Sequence, residues 1–191
     1  MIEMSWLLLT YKVPSDPATK RVALWRKIKG MGAVYVQNGV CMLPKTDEHL
    51  RRFKMLENDI VGMGGEAVIL ETAAADLGQQ EKVIARFKAD RDEHYHEFLE
   101  RCGDFEKEIA KETAIGKFSY AELEENDADL KKLQGWLEKI AKLDFYGAAL
   151  APESQERLKD CETLLDTFAK RVFEAHEETR SSTSKPPEPK D

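Results

Sequence analysis

The sequence predicts an α+β protein: a ferredoxin-like βαββαβ domain over residues 1–74, an antiparallel three-helix bundle over 75–180 and a disordered tail over 181–191. Three observations predict it. Short apolar runs alternate with helical periodicity through residue 71. Three long stretches beyond it carry apolar residues at alternating steps of three and four. The charge also divides: residues 1–71 hold 10 Lys and Arg against 8 Asp and Glu, whereas residues 72–180 hold 17 against 26, within a net charge of −7 for 191 residues. An apolar content of 42% fills a core and excludes general disorder. No apolar run reaches the roughly 18–20 residues needed to span a bilayer, and the N-terminus lacks a secretory signal pattern. Three separated cysteines form no C-x-x-C pair, so a reducing cytoplasm is the expected location.

Trp6-Leu-Leu-Leu-Thr-Tyr11 reads as a buried strand. Asp16-Pro17 supplies an N-cap followed by proline at the first helical position, opening a helix to about Lys29 that Gly30 and Gly32 end. Ala33–Val36 and Val40–Leu43 read as paired strands about Asn38-Gly39, a hairpin signal because a type I′ turn needs φ > 0 at both positions. Pro44 stops the second of them. A helix over about 47–62 and a last strand, Glu66–Glu71, complete the β-α-β-β-α-β order.

The first strand is apolar on both faces, Leu7, Leu9 and Tyr11 on one and Trp6 and Leu8 on the other. Two helices on one side cover only one face, so the second needs another layer, from a second subunit or from the C-terminal module. On the first helix, Leu24, Trp25, Ile28 and Met31 share an arc at 100° per residue. Lys20, Arg26, Lys27 and Lys29 fall mostly outside it, and Arg21 lies within it, where it snorkels or pairs. Pro17–Thr46 contains six basic residues and no acid. That face is either a phosphate-contacting stripe or a solvated helix surface.

A first long helix over about 79–114 carries Ile84, Phe87, Tyr95, Phe98, Cys102, Phe105 and Ile109, with Arg91 filling the missing step. Ser119-Tyr-Ala-Glu122 is a capping box opening the next, with stripe Leu130, Leu133, Leu137 and Ile140. Pro152 opens the third, with Leu158, Cys161, Leu165, Phe168 and Val172. Short links imply an up-down-up arrangement.

Chemistry-bearing residues are few. Glu93-x-x-His96 has di-metal spacing but no second copy, and it falls off the inward stripe, so no metal site is expected. Cys102 and Cys161 occupy stripe positions, either as inert buried thiols or as a redox or oxyanion-reducing pair. Arg91, with Asp90 beside it, is either a helix-specifying ion pair or an oxyanion ligand. The acidic run Glu122–Asp129 suits a helix N-terminus or a basic partner. There is no phosphate loop, nucleophile elbow or zinc spacing.

Trp6-Leu-Leu-Leu-Thr-Tyr-Lys-Val-Pro14, Arg21-Val-Ala-Leu-Trp-Arg26 and Gly32-Ala-Val-Tyr-Val-Gln-Asn-Gly-Val40 with Leu43-Pro44 resemble the N-terminal region of the ChrB chromate-resistance family. The resemblance continues through Phe118–Asn126, Asp129-Leu130, Trp136–Ile140 and Asp144-Phe-Tyr-Gly147, covering most of residues 5–175. The resemblance implies a further C-terminal domain in full-length members, and none is expected within these 191 residues. The resemblance implies a bacterial cytoplasmic protein of chromate resistance that regulates transcription, its N-terminal part binding promoter DNA. On that reading Lys20, Arg21, Arg26, Lys27, Lys29, Arg51, Arg52 and Lys54 contact phosphates, the acidic helical module supplies dimerisation or partner binding, and chromate is a candidate effector, with Arg91, Cys102 and Cys161 as candidate oxyanion contacts. No cofactor, metal or membrane is implied. The first 71 residues also resemble the ferredoxin-like domains of the phenylacetate repressor family and of small CRISPR-associated nucleases. The nucleases carry an aspartate at the end of the first strand; Thr10-Tyr11-Lys12 stands here, against nuclease chemistry. An interaction module without DNA binding is the main alternative, ahead of a metal-dependent nuclease or a thiol-based chromate reductase.

Overall fold

The structure is a computed structural model describing residues 4–183, with side-chain surroundings through Glu177. The elements run β1 (Ser5–Lys12), α1 (Ala18–Gly30), β2 (Val34–Gln37), β3 (Val40–Pro44), α2 (Asp47–Gly62), β4 (Glu66–Ala73), α3 (Leu77–Ala114), α4 (Tyr120–Lys142) and α5 (Ala151–Thr183). The fold is α+β, with one four-stranded antiparallel sheet and five helices. Residues 181–183, expected in the tail, belong to α5, and 184–191 lie outside the described residues.

The chain forms two compact units, Met1–Asp92 with Lys142–Ala148, and Glu93–Ala141 with Ala149–Asp191. The division between these units falls inside α3. The reason is packing: Val83, Ile84 and Phe87 of α3 belong to the core of the sheet unit.

In that unit the sheet order is β2-β3-β1-β4, every neighbouring pair antiparallel. β1 takes a central position because both its faces are apolar, as a strand covered on both sides requires. Its register sets Leu7 opposite Leu43 and Leu9 opposite Cys41. These residues bury against Leu24 and Ile28 of α1 and Phe53, Leu56 and Ile60 of α2. On the other face Trp6, Val34 and Met42 bury against Phe87, joined by Phe145 and Tyr146. The second layer is therefore supplied by the start of α3 and the 142–148 segment. It leaves Val68 and Leu70 of the edge strand β4 about half exposed.

Two local expectations are corrected. Asp16 does not cap α1: Pro17 is the N-cap, extended at ψ 141°, with no side-chain cap bond. The ring of a proline fixes φ but leaves ψ free to be extended, so the helix begins one residue later. The β2–β3 turn is not type I′ either. Among the described residues only glycines have positive φ, so Asn38 does not, while Gly39 stands at +73°. β2 carries a register irregularity between Tyr35 and Gln37, one residue before the turn. α2 opens as its sequence implies, with the Thr46 hydroxyl accepting from His49 N at 3.0 Å and Asp47 and Glu48 in the first turn.

In the helical unit the three stripes are buried as their spacing predicts: Tyr95, Phe98, Cys102, Phe105 and Ile109; Leu130, Leu133, Leu137 and Ile140; Cys161, Leu165, Phe168 and Val172. Phe98 meets Trp136 edge-on at 5.9 Å, Phe118 meets Phe168 at 5.6 Å, and the Arg171 guanidinium lies 4.7 Å over the Phe118 ring. The box at the start of α4 is half formed. Glu122 N donates to Ser119 Oγ at 3.3 Å, but the Glu122 carboxylate pairs with Lys117 instead of returning to Ser119.

Candidate functional site

α1 and α2 lie over the same sheet face, held there by the apolar ridges Leu24/Ile28 and Phe53/Leu56/Ile60. This turns the other sides of both helices outward, and the predicted basic residues fall there. The structure divides them into two groups. Lys27 is tied to Asp59 of α2 at 2.7 Å, and Arg52 to Glu48 one turn earlier at 2.7 Å. Lys29 pairs with Asp90 of α3. By contrast Lys20, Arg21, Arg26, Arg51 and Lys54 are exposed and have no ion pair among the described residues. Exposed pairs such as Lys27–Asp59 contribute little to stability, but each neutralises a charge that would otherwise act on a ligand.

Asp90 also accepts from Arg91 Nη2 at 2.6 Å, so one carboxylate serves two cations. Burial raises the Asp90 pKa, but the hydrogen bonds and charges of Lys29 and Arg91 outweigh it and hold the carboxyl below its ordinary range. Arg91 is 4% exposed. Of its two sequence readings, the structure shows the ion pair.

The structure brings Cys102 and Cys161 together from α3 and α5. Both are fully buried and reduced. Cys161 Sγ lies 4.0 Å from the Cys102 carbonyl oxygen and 4.0 Å from Glu106 Oε1. The interaction between the two thiols lowers the pKa of Cys102 and raises that of Cys161. Beside them Arg157 grips Glu106 with two contacts, Nε to Oε1 at 2.6 Å and Nη2 to Oε2 at 2.7 Å. Cys41 is buried in the sheet core, where burial pushes its thiol up to about 12. His96, of the Glu93-x-x-His96 pattern, lies 3.6 Å from Glu100. Among the described residues no three His, Cys, Asp or Glu side chains are placed to hold a metal ion. None of the described helices is long and apolar enough to cross a membrane.

Sequence reasoning missed one feature. Trp25, assigned to the buried arc of α1, is 52% exposed. Leu24 and Ile28 form a ridge narrow enough to seat the helix without it. Trp25 instead borders a groove of about 630 Å³ with Tyr11, Lys12, Arg21, Tyr35 and Asn38. The Tyr11 and Tyr35 hydroxyls are 2.8 Å apart. Burial raises the pKa of both phenols, so both stay protonated at neutral pH. Gly39 fixes the mouth of the groove: its carbonyl accepts from Tyr11 N at 2.7 Å, and a Cβ there would stand 2.5 Å from the Tyr11 oxygen. The one advance sign of this groove is the acid-free stretch Pro17–Thr46.

Comparison with known proteins adds a family to this geometry. The family model described as Protein ChrB, N-terminal, matches residues 21–179. The chain is 32% identical over 97 residues to Protein ChrB of Cupriavidus metallidurans, an alignment covering 51% of this chain and 29% of that relative. The chain thus spans under a third of the length of the curated relative it matches. No solved structure matches it. With the family model spanning α1 through most of α5, the chain belongs to the ChrB N-terminal family.

Proposed function

We propose that this chain is a cytoplasmic regulatory protein of chromate resistance that contacts promoter DNA through α1 and α2. Lys20, Arg21, Arg26, Arg51 and Lys54 meet phosphates, while Lys27, Lys29 and Arg52 are already committed to carboxylates. The observation that carries this reading is the set of five exposed cations on α1 and α2 that have no ion pair among the described residues, three of them in the acid-free stretch Pro17–Thr46. Unpaired cations release counterions from a nucleic acid on binding, whereas paired ones gain less. Family membership supports the chromate-resistance setting. The β2-β3-β1-β4 order supports a ferredoxin-like domain, and the three buried stripes support an antiparallel helical bundle. A homodimer is the assembly proposed, with chromate as effector.

The test is a mobility shift on the chain's own promoter at two salt concentrations, with and without chromate. Binding should weaken at the higher salt, and Arg26→Ala with Arg51→Ala should lower both affinity and salt slope. A shift no stronger than that given by an acidic control protein overturns the reading. The half-exposed Val68 and Leu70 on edge strand β4 favour a second reading, an interaction module that binds protein and no DNA. That reading predicts a stable oligomer without any mobility shift.

A further inference from the structure

We propose that the groove bordered by β1, the β2–β3 turn and α1 binds a nucleotide, its base stacked on Trp25 and its phosphate held by Arg21 and Lys12. The proposal rests on the nucleic-acid reading above and deepens it, because it assigns the ligand a base as well as a phosphate.

Four observations converge on this ligand. First, Trp25 offers half of its indole surface to solvent on a helix already seated by Leu24 and Ile28, so its packing in the fold does not account for it. An exposed indole beside cations is the arrangement on which an unpaired base stacks. Second, the groove is lined by Arg21 and Lys12 and by no carboxylate, and neither cation has an ion pair among the described residues. An anion entering it meets attraction without a competing negative group. Third, the floor carries polar groups with unused capacity. The Tyr11–Tyr35 contact uses one of two hydroxyl hydrogens, leaving the other hydrogen and further lone pairs, and the Asn38 amide adds a donor and an acceptor. These are the groups that read a base edge. Fourth, a volume of about 630 Å³ accommodates one nucleotide.

The source of the nucleotide is either a free mononucleotide or an unstacked residue of a strand. Both present a π face and a phosphate, and they are separated by the choice of probe. The duplex is a different ligand, since its bases are stacked and unavailable to Trp25.

The experiment titrates the full chain with AMP, a ten-nucleotide oligo-dT, an abasic deoxyribose-phosphate strand of the same length and a blunt duplex. Indole fluorescence and the anisotropy of labelled strands are followed. Trp6 is fully buried and Trp136 of α4 is partly buried, so it is the loss of the quenching in Trp25→Phe that assigns the signal to Trp25. Oligo-dT should bind at least about tenfold more tightly than the abasic strand, and Trp25→Ala should remove about that factor, the worth of one base–aromatic stack. Trp25→Phe should keep most of the affinity, and Arg21→Ala should lower it with a smaller salt slope. Circular dichroism of each variant checks that the exposed positions leave the fold intact. Saturable AMP binding that competes with oligo-dT assigns a free nucleotide; oligo-dT binding alone assigns a strand.

Equal binding of oligo-dT and the abasic strand, without quenching of Trp25, overturns the proposal. If the duplex still shifts in an Arg26- and Arg51-dependent way, the DNA-contact reading survives that failure. Quenching of Trp25 by oligo-dT with no duplex shift leaves the groove standing and removes the duplex reading.

Discussion

The Trp6 indole N–H donates to the Tyr146 hydroxyl at 2.8 Å, joining the central strand of the sheet to a segment 140 residues later. Phe87 packs beside it, tilted against the Tyr146 ring at 5.2 Å and edge-on to Phe145 at 6.2 Å. This contact closes the second sheet face. Tyr146→Phe removes the acceptor and leaves the buried indole N–H unpaired, at a cost of about 1–3 kcal/mol. Trp6→Ala also empties the site and costs about 3–5 kcal/mol. Urea unfolding followed by far-UV circular dichroism measures both.

Asp90 balances Lys29 and the buried Arg91. Asp90→Ala leaves the Arg91 cation uncompensated and should cost about 3–5 kcal/mol. Because the folded Asp90 pKa lies below its ordinary value, its contribution is complete above the unfolded aspartate range. It is lost as the pH falls from that range through the lower folded value. Thermal melts of the wild type should therefore steepen their decline on acidification in that window, and melts of the variant should not.

Glu112 titrates in the opposite sense. Burial first, then the facing Glu122 carboxylate, raises it to about 6, while Asn126 Nδ2, donating at 2.6 Å, opposes the rise. A carboxyl whose folded pKa lies above the unfolded value binds its proton more tightly in the fold. Its stabilisation is present below about 4.5 and disappears as the pH rises through about 6. Glu112→Gln keeps an acceptor for Asn126 and removes the charge. At neutral pH it should stabilise the chain by on the order of 1 kcal/mol and flatten the pH dependence of Tm across that window.

Gly39 is required on two grounds, its positive φ of +73° and the 2.5 Å approach of a Cβ to the Tyr11 backbone oxygen. Gly39→Ala should destabilise the sheet unit by more than the ~1 kcal/mol of an ordinary Gly/Ala exchange. It should also weaken any ligand of the Trp25 groove. Denaturant midpoints and the oligo-dT titration check the two effects separately.

All three thiols are fully buried. In the folded chain they should react slowly with an aromatic disulfide reagent, and promptly once denaturant opens the fold. Fast reaction of Cys102 or Cys161 under native conditions would show that the helical unit opens at that pair.

Local chemistry was legible in the sequence. The apolar run of β1 predicts a strand covered on both faces, and the three-four stripes predict which side of α3, α4 and α5 is buried. The Asn38-Gly39 dipeptide predicts the hairpin, though not its turn type. The basic face of α1 and α2 was legible only as eight basic residues. Whether a cation is free depends on acids distant in sequence, and Asp59 and Asp90 neutralise Lys27 and Lys29 from 32 and 61 residues away. Trp25 was misassigned because periodicity gives a direction on the helix, not the width of the ridge that seats it.

By itself, then, the sequence determined the elements and their buried faces, because backbone propensity and hydrophobic period act within a few residues. Only the tertiary structure decided which layer covers Trp6, that Cys102 meets Cys161, which cations stay unpaired and that Trp25 borders a groove. Each of these is a contact between distant segments, set by how the buried faces fit against one another.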